Sequence, residues 1–258
     1  MKAKKALGQN FLKNDTIIHK IVSLLCAKEN DLIIEIGPGR GALTKELSNL
    51  PCKKICIEID EDMHPYLDQL ESDKLKVIYA DILNTNLKDI IKEGKYNNLF
   101  IIGNLPYYIT TPIIEKLIKE SISAQKMVFM VQKEVGERLS SKPGHSNYGY
   151  MTLFTNYYYD VSYEFTVSKG EFVPIPKVDS AIISLNKKNK ISNVNEEEFF
   201  MFLKKCFRFK RKTLKNNLKG YNQELISRIL RENGYLETAR PEEINEEVFI
   251  KLFEALTT

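Results

Sequence analysis

Hydrophobic residues follow two alternating patterns along most of the chain. Short apolar runs predict buried strands, and between them lie segments whose apolar residues recur every three or four positions, as on one helix face. The predicted strands are residues 31–36, 54–59, 76–80, 99–102, 126–131, 153–159, 163–167 and 180–186. The predicted helices between them are residues 14–28, 42–50, 62–71, 112–120 and 132–139. This order predicts a doubly wound α/β sheet, mostly parallel, with late antiparallel strands.

The carboxyl-terminal part of the chain has no strand pattern. Residues 186–193 are polar and lack periodicity, so we place a linker there. Helical periodicity then covers the predicted helices 196–208, 210–218, 223–233 and 246–256. We therefore expect two domains, an α/β domain over residues 1–186 and a small all-helical domain over residues 187–258.

The composition is that of a globular protein that can bury a core, with 258 residues, 43% hydrophobic and 28% charged. No apolar run approaches the length of about 18 residues that a membrane span needs, so we expect no membrane segment. The charged first residues lack the apolar stretch of a secretory signal. The four cysteines have neither CxxC spacing nor a histidine cluster beside them. We therefore expect reduced thiols, no metal site and a cytoplasmic protein.

The net charge of +4 is small, but the cations are concentrated. Residues 199–223 contain no acidic residue, which predicts a surface that binds a polyanion. The cations there are Lys204, Lys205, Arg208, Lys210, Arg211, Lys212, Lys215 and Lys219. Phe207 and Phe209 lie among them, but their helical spacing is more typical of core positions.

A glycine loop follows the first long predicted strand. Gly37, Gly39 and Gly41 alternate with other residues just before a predicted helix. Glycines let the backbone turn sharply and approach a ligand closely. In the G-x-G-x-x-G pattern of dehydrogenases the third glycine falls at Ala42, and some such fingerprints allow alanine. The loop alone therefore leaves a dinucleotide open.

Two carboxylates narrow the choice of ligand. Glu58 lies near the end of the second long strand, where it can accept both ribose hydroxyls, and Asp81 follows the third, where it can accept an adenine amino group. Each could instead be a solvated loop residue. Because Arg40 is the one cation that these loops place near a phosphate, an adenosine without phosphates fits best. S-adenosylmethionine is such a ligand.

Asn104, Leu105, Pro106 and Tyr107 follow the predicted strand 99–102. Ligands of open α/β sheets bind at the carboxyl ends of the strands. An amide and a turn carbonyl there can accept the protons of an exocyclic amine, while an aromatic ring stacks on the base. An ordinary proline-containing turn is the alternative interpretation.

Four motifs follow one another along the chain, at residues 8–12, 35–44, 104–107 and 172–180. In these motifs and their order the chain resembles the ribosomal RNA adenine N6,N6-dimethyltransferases. Residues 131–149 and 206–218 resemble the branch that modifies small-subunit rRNA. The resemblance implies a Rossmann-like sheet that uses S-adenosylmethionine as methyl donor, without a metal, and that acts on the rRNA of an immature small ribosomal subunit. We expect a monomer.

The resemblance also implies roles for individual residues. The cofactor contacts implied by the glycine loop and the family together are Asn10, Leu12, Gly37, Gly39, Glu58, Asp81 and Asn104. The implied catalytic set is Asn104, Leu105, Pro106, Tyr107 and Phe172, with both aromatic rings stacking on the base. The implied RNA contacts are Arg208, Lys210, Arg211 and Lys212, with Lys2, Lys4 and Lys5 as further phosphate contacts. Lys210 departs from the arginine of many members, which keeps the charge but loses a bidentate contact.

Three other functions compete with this interpretation. A large-subunit rRNA methyltransferase that confers macrolide resistance belongs to the same superfamily. DNA adenine methyltransferases usually carry an acidic residue in place of Asn104. A non-catalytic nucleic-acid-binding factor on the same fold would not need the intact set of residues 104–107.

Overall fold

The computed structural model describes residues 9–92, 95–120, 123–188 and 194–257, and the chain forms two compact units. The first unit extends to Gly136 and resumes at Asp160–Lys187. The second unit comprises Glu137–Tyr159 and continues from Lys188. Assigning all of residues 1–186 to one domain is therefore corrected for residues 137–159. They belong with the helices, because Leu153 and Tyr157 pack in the same core as Phe199.

The first unit alternates strands and helices. Its strands are β1 (Phe11–Leu12), β2 (Leu32–Ile36), β3 (Lys53–Glu58), β4 (Leu75–Tyr79), β5 (Leu99–Asn104), β6 (Ala124–Gln132), most of β7 (Tyr159–Val167), β8 (Phe172–Val173) and β9 (Ser180–Lys187). Its helices are α1 (Asp15–Ser23), α2 (Ala42–Leu47), α3 (His64–Leu67), α4 (Leu87–Lys92) and α5 (Thr110–Lys119), and α6 (Lys133–Leu139) begins in this unit.

The main sheet has seven strands in the order β4-β3-β2-β5-β6-β9-β7. The pairs from β4 to β6 are parallel, and β9 lies antiparallel to β6. All five residues of β2 are buried, as expected for a parallel strand covered on both faces. The strand order reverses between β2 and β5, and such a switch point opens a crevice at the carboxyl ends of the strands.

The second unit is helical. Its helices are α7 (Tyr150–Tyr158), α8 (Glu196–Cys206), α9 (Leu214–Asn217), α10 (Gln223–Glu232) and α11 (Glu246–Thr257). Asparagine side chains cap two of them, because Asn195 accepts from the Glu198 N–H and Asn222 accepts from the Leu225 N–H. Phenylalanines from α8 and α11 dominate the core, in which Phe199 and Phe253 meet edge to face.

Two sequence predictions are wrong in this unit. Residues 153–159 were expected to form a strand, but residues 150–158 form α7, since tertiary packing of Leu153 and Tyr157 outweighs the strand propensity of its aromatic residues. The expected helix 210–218 is only the short α9, which begins after the Thr213 cap. Within the described residues, no helix has the length and apolarity needed to cross a membrane.

Candidate active site

A cavity opens at the carboxyl ends of β2, β3 and β5. Its wall includes Gly37, Gly39, Glu58, Asn104 and Tyr107 from the loops that follow these strands, and Asn10 and Leu12 near the start of the described chain. The cavity therefore lies at the switch point of the sheet, where the sequence placed the glycine loop and residues 104–107.

The backbone of the glycine loop has a conformation that residues other than glycine adopt only with strain. Gly39 has a φ of +56°, and a Cβ there would lie 3.0 Å from the ring of Phe11. The Gly37 N–H donates to the Ile57 carbonyl over 2.9 Å, which ties the loop to β3. The loop thus turns tightly beneath the cavity and leaves room for a ligand to approach its backbone.

Glu58 is the carboxylate of the cavity wall. Its side chain is buried and accepts the Gly39 N–H at 2.8 Å and the Asp60 N–H at 2.9 Å. Burial raises the pKa of Glu58, although these hydrogen bonds oppose the rise. Each carboxylate oxygen can accept more than one hydrogen bond, so Glu58 can still receive hydroxyl groups from a ribose.

Asp81 is not part of the cavity wall, although its neighbours Ala80 and Ile82 are. Its carboxylate accepts the Leu83 N–H at 2.9 Å and the Asn84 side-chain amide at 2.7 Å. In the structure this side chain caps its own turn. Because each carboxylate oxygen can accept more than one hydrogen bond, the expected contact of Asp81 with adenine stays a prediction.

Glu35 is a buried carboxylate of the wall to which the sequence assigned no role. It is 1% exposed, and its Oε2 accepts the Thr44 hydroxyl at 2.7 Å and the Cys56 thiol at 3.5 Å. Burial raises the pKa of Glu35 to about 7, and the charge of Glu58 adds to the rise. A carboxylate inside an otherwise apolar strand, nine residues before a threonine, was the available signal.

The side-chain amide of Asn104 is held in one orientation. Its Nδ2 donates to the backbone carbonyl of Asn10 over 2.9 Å. Because a carbonyl only accepts hydrogen bonds, the nitrogen of the amide must face Asn10 and the oxygen must face away from it. The Leu105 N–H donates to Met130 over 3.0 Å, which anchors the turn that follows.

The two turn carbonyls that could accept an amine proton differ in the hydrogen bonds that they already receive. The Pro106 carbonyl already accepts the Ile109 N–H and the Thr110 hydroxyl, each at 3.1 Å. The Leu105 carbonyl receives no hydrogen bond from the described residues. The Leu105 carbonyl therefore has more capacity than the Pro106 carbonyl to accept a further hydrogen bond.

The two predicted aromatic residues lie in different surroundings. Tyr107 is on the cavity wall, and its hydroxyl lies 2.7 Å from the Ser180 hydroxyl, which fixes the ring. Burial raises the pKa of Tyr107. Phe172 is fully buried, pairs with Leu12 between β8 and β1, and packs in the core with Ile182. The expected stacking of Phe172 on a base is thus corrected, since its ring is not on the cavity wall.

The wall residues fit a nucleoside sulfonium better than a phosphate. Apolar side chains of Pro38, Ile57 and Ile82 offer a slot for a flat base, next to the Glu58 carboxylate. The Arg40 guanidinium lies 4.5 Å from the centre of the Phe11 ring, so it is stacked on an aromatic face. Buried carboxylates repel phosphates and tolerate a positively charged donor.

The second unit presents its predicted cations on a shaped loop. Arg208, Lys210, Arg211 and Lys212 are all exposed. The Asn217 amide accepts the Phe209 N–H at 2.8 Å and donates to the carbonyls of Phe209, Lys212 and Thr213. We call residues 207–213 the basic loop.

Two other predictions on the basic stretch have different outcomes. Lys215 is paired with Glu237 over 3.0 Å and is therefore neutralised. Phe207 packs against Phe249 at the edge of the core, whereas Phe209 is 51% exposed.

The predicted phosphate contacts Lys2, Lys4 and Lys5 lie outside the described residues. Within those residues, no group of three or more His, Cys, Asp or Glu side chains could hold a metal ion.

Comparisons with known proteins agree over almost the whole chain. A model of the family "Ribosomal RNA adenine dimethylase" matches residues 1–257. A relative from Mycoplasma capricolum subsp. capricolum, "Ribosomal RNA small subunit methyltransferase A", is 42% identical over 98% of this chain and 97% of its own. Because these matches cover almost the whole chain, the similarity is not confined to one motif.

Solved structures share the fold. A dimethyladenosine transferase from Plasmodium falciparum superposes with a TM-score of 0.77 at 29% identity, covering 94% of this chain and 95% of its own. The 23S rRNA methyltransferase ErmE gives 0.76 at 23% identity, covering 96% and 100%. The predicted Rossmann-like methyltransferase sheet is thereby confirmed, as is S-adenosylmethionine as methyl donor. The chain belongs to the ribosomal RNA adenine dimethylase family, whose members are S-adenosylmethionine-dependent methyltransferases.

Proposed function

We propose that this protein transfers methyl groups to N6 of two adjacent adenosines in small-subunit rRNA, giving dimethylated bases. The observation that carries this proposal is the fixed Asn104 amide, whose nitrogen is bound by the Asn10 carbonyl. Its oxygen and the Leu105 carbonyl form a pair of acceptors on one turn, and an adenine amine has two protons to donate.

The chemistry that these acceptors supply is positioning and polarisation. When bound, S-adenosylmethionine offers an electrophilic methyl group and leaves as a neutral thioether, so no general acid is needed. The amine nitrogen is the weak partner, since its lone pair is delocalised into the purine. Hydrogen bonds from its protons to Asn104 Oδ1 and the Leu105 carbonyl raise the electron density on N6 and aim it.

Tyr107 would hold the base flat against the acceptor pair. Base–aromatic stacking contributes about 1–3 kcal/mol per base, and the Ser180 hydroxyl already orients this ring. The adenine must leave its RNA stack to reach the cavity, as in other enzymes that modify bases. Each transfer leaves N6 positively charged, and it then releases one proton to solvent. A second methylation therefore begins with an amine that has one proton left, so one of the two acceptors then loses its hydrogen bond.

The cofactor contacts are proposed on the same basis. Glu58 would accept the ribose hydroxyls, while Gly37 and Gly39 allow close approach of the nucleoside. Asn10 and Leu12 also line the cavity and would contact the donor there. In the second unit, we assign the cations of the basic loop to the rRNA phosphates.

The alternatives have less support. The likeness to ErmE is at 23% identity and concerns the fold alone, whereas curated relatives at about 40% identity are named for the small subunit. A non-catalytic factor would have no need for an oriented amide and a carbonyl without a partner on one turn. Asn104 itself disfavours a DNA adenine methyltransferase.

We further propose that the substrate is an immature small ribosomal subunit, and that the protein acts on it as a monomer in the cytoplasm. The family resemblance supports the immature subunit, and the four free cysteines support the cytoplasm. Sedimentation of the free protein measures the oligomeric state directly, and a dimer would contradict the proposal.

Methyl transfer to isolated ribosomal subunits tests the proposed function. Small and large subunits from cells that lack this methylation are incubated with tritiated S-adenosylmethionine, and the rRNA is digested to nucleosides. We expect label in N6,N6-dimethyladenosine of the small subunit alone. Label confined to the large subunit, or no transfer to either, would contradict the proposal.

A further inference from the structure

A second cavity lies at the amino-terminal edge of the sheet. Its wall includes the first residues of three neighbouring strands, Leu32 of β2, Lys53 of β3 and Leu75 of β4. The active-site cavity lies at the other ends of β2 and β3, at Ile36 and Glu58. The two cavities share no wall residue, and a strand rises about 3.3 Å per residue, so their nearest wall residues on β3, Ile55 and Ile57, lie about 7 Å apart along the strand.

The second cavity is strongly basic. Five lysines line it, together with two acidic residues. They are Lys53, Lys54, Lys74, Lys76 and Lys95, with Asp73 and Asp89. Asp89 is engaged by the side-chain amide of Asn86 at 2.7 Å and by the ammonium of Lys92 at 3.3 Å, so it does little to balance the lining lysines.

Most of these lysines have no counter-charge. Lys53, Lys74 and Lys76 are exposed and form no ion pair with any described residue. Lys54 is different, because it is only 3% exposed and its ammonium donates to the Leu50 carbonyl. Burial lowers the pKa of Lys54, and the charge of Lys74 lowers it further. A bound anion would favour the charged form of this ammonium.

Protection of a sheet edge explains only part of this pattern. β4 is the outer strand of the sheet, and lysines on outer strands discourage pairing with other chains. Lys74 and Lys76, at β4, fit that role. Lys53 and Lys54 belong to β3, which is paired on both sides, so edge protection does not account for them.

The remaining wall is apolar and contains an aromatic ring. Ile55, Ile78 and Ile90 form part of it, with Tyr96 beside Lys95. Cations around an apolar surface with an aromatic ring are typical of surfaces that hold single-stranded nucleic acid, where phosphates meet the cations and a base can stack.

We propose that this lysine-lined cavity binds the sugar–phosphate backbone of the rRNA substrate, as a contact separate from the methyl-transfer cavity. The inference rests on the proposed function, since it takes rRNA as the partner. Cations contributed by β3, by the segment before β4 and by Lys95 suit a chain of phosphates better than one small anion. An rRNA is long enough to reach both ends of the sheet at once.

Salt-dependent binding of the full-length protein to undermethylated small subunits tests this contact. The variant carries Lys53→Gln, Lys74→Gln and Lys76→Gln, and the matched control carries Lys20→Gln, Lys28→Gln and Lys45→Gln, which are exposed and outside the cavity. Three lost phosphate contacts should reduce the slope of log K against log salt by about 2–3 and the affinity at moderate salt by about tenfold or more. The control should lose much less.

Equal slopes and affinities for the two triple variants would overturn the inference. Both variants should keep the wild-type affinity for S-adenosylmethionine and the wild-type melting temperature, which excludes a folding defect. The outcome is distinct from failure of the proposed function, in which the wild-type protein itself would not methylate small subunits.

Discussion

Asn104 in the first unit and Asn217 in the second are both held by backbone groups, but they leave different atoms for a ligand. Asn104 uses its nitrogen on the Asn10 carbonyl and keeps its oxygen. Asn217 uses both ends of its amide on the backbone of Phe209, Lys212 and Thr213. The Asn104 side chain therefore has an oxygen available to contact a ligand. The Asn217 side chain instead fixes a loop whose other side chains can contact one.

This difference predicts unequal sensitivity to substitution. The acceptor pair at Asn104 has no substitute on the turn, because the Pro106 carbonyl is already occupied. The basic loop has several exposed cations, so each one contributes only a part of the affinity for RNA.

The largest effect is expected for Asn104→Ala. Removal of one positioned group that stabilises a transition state costs about 10²- to 10³-fold in rate, and we expect a loss of that size in single-turnover methyl transfer. Binding of S-adenosylmethionine should be weakened but measurable by calorimetry. Asn49→Ala, at an exposed asparagine, is the matched control and should leave the rate unchanged. A rate within a few-fold of wild type would contradict the role of Asn104.

The buried carboxylate Glu35 gives the next effect, on stability. Its folded-state pKa of about 7 lies above the usual 4.5, so the folded protein binds this proton more tightly than the unfolded chain does. The free energy of unfolding of the unliganded protein should therefore fall as pH rises from about 4.5 to about 7, by roughly 3 kcal/mol from this group.

Glu35→Gln isolates that contribution. A glutamine oxygen can accept the same bonds from Thr44 and Cys56, so the fold is kept while the titration is removed. Urea unfolding across this pH range should show a flatter profile for the variant. An identical slope in both proteins would show that Glu35 does not titrate there.

Neutralising the basic loop should have a moderate effect on binding. Arg208→Gln, Arg211→Gln and Lys212→Gln together should lower the salt slope of RNA binding by about 2–3 and leave S-adenosylmethionine binding intact. Arg228→Gln, Arg231→Gln and Lys251→Gln serve as the control, since these exposed cations lie in the same unit outside the loop. Equal salt slopes for the two variants would contradict binding of the RNA at the basic loop.

The smallest effect is expected for Asn217→Ala. The change removes no charge but takes from the basic loop the hydrogen bonds that the Asn217 side chain makes, so we expect a several-fold loss of RNA affinity and about 1 kcal/mol of stability. Asn216→Ala, at the exposed neighbouring asparagine, should change neither. Unchanged RNA binding by Asn217→Ala, measured by fluorescence anisotropy, would mean that loop order does not matter for binding.

Local pattern was enough to place the carboxyl edge of the sheet. Three features of this edge depend on residues that are close to them in the sequence, namely strand 31–36, the glycine loop and residues 104–107. Their hydrophobic period and turn residues therefore determine where they lie. The early strands follow from the same signals. The family came instead from the resemblance of four motifs, and it is confirmed by the match over residues 1–257.

Features that depend on distant contacts escaped the sequence. Phe172 lies in a motif, but its burial depends on pairing with Leu12, which is far away in the chain. Residues 150–158 are helical because the core around Phe199 receives them.

Replacement of the acceptor base tests most directly whether the Asn104 and Leu105 oxygens receive the amine at N6. Small subunits are reconstituted with 2-aminopurine, whose amine is at C2, at the adenosines that the wild-type protein labels, and in parallel with 7-deazaadenine, which keeps N6. The account predicts that methyl transfer is lost with 2-aminopurine and retained with 7-deazaadenine. Transfer to 2-aminopurine at a rate near that of adenine would contradict it.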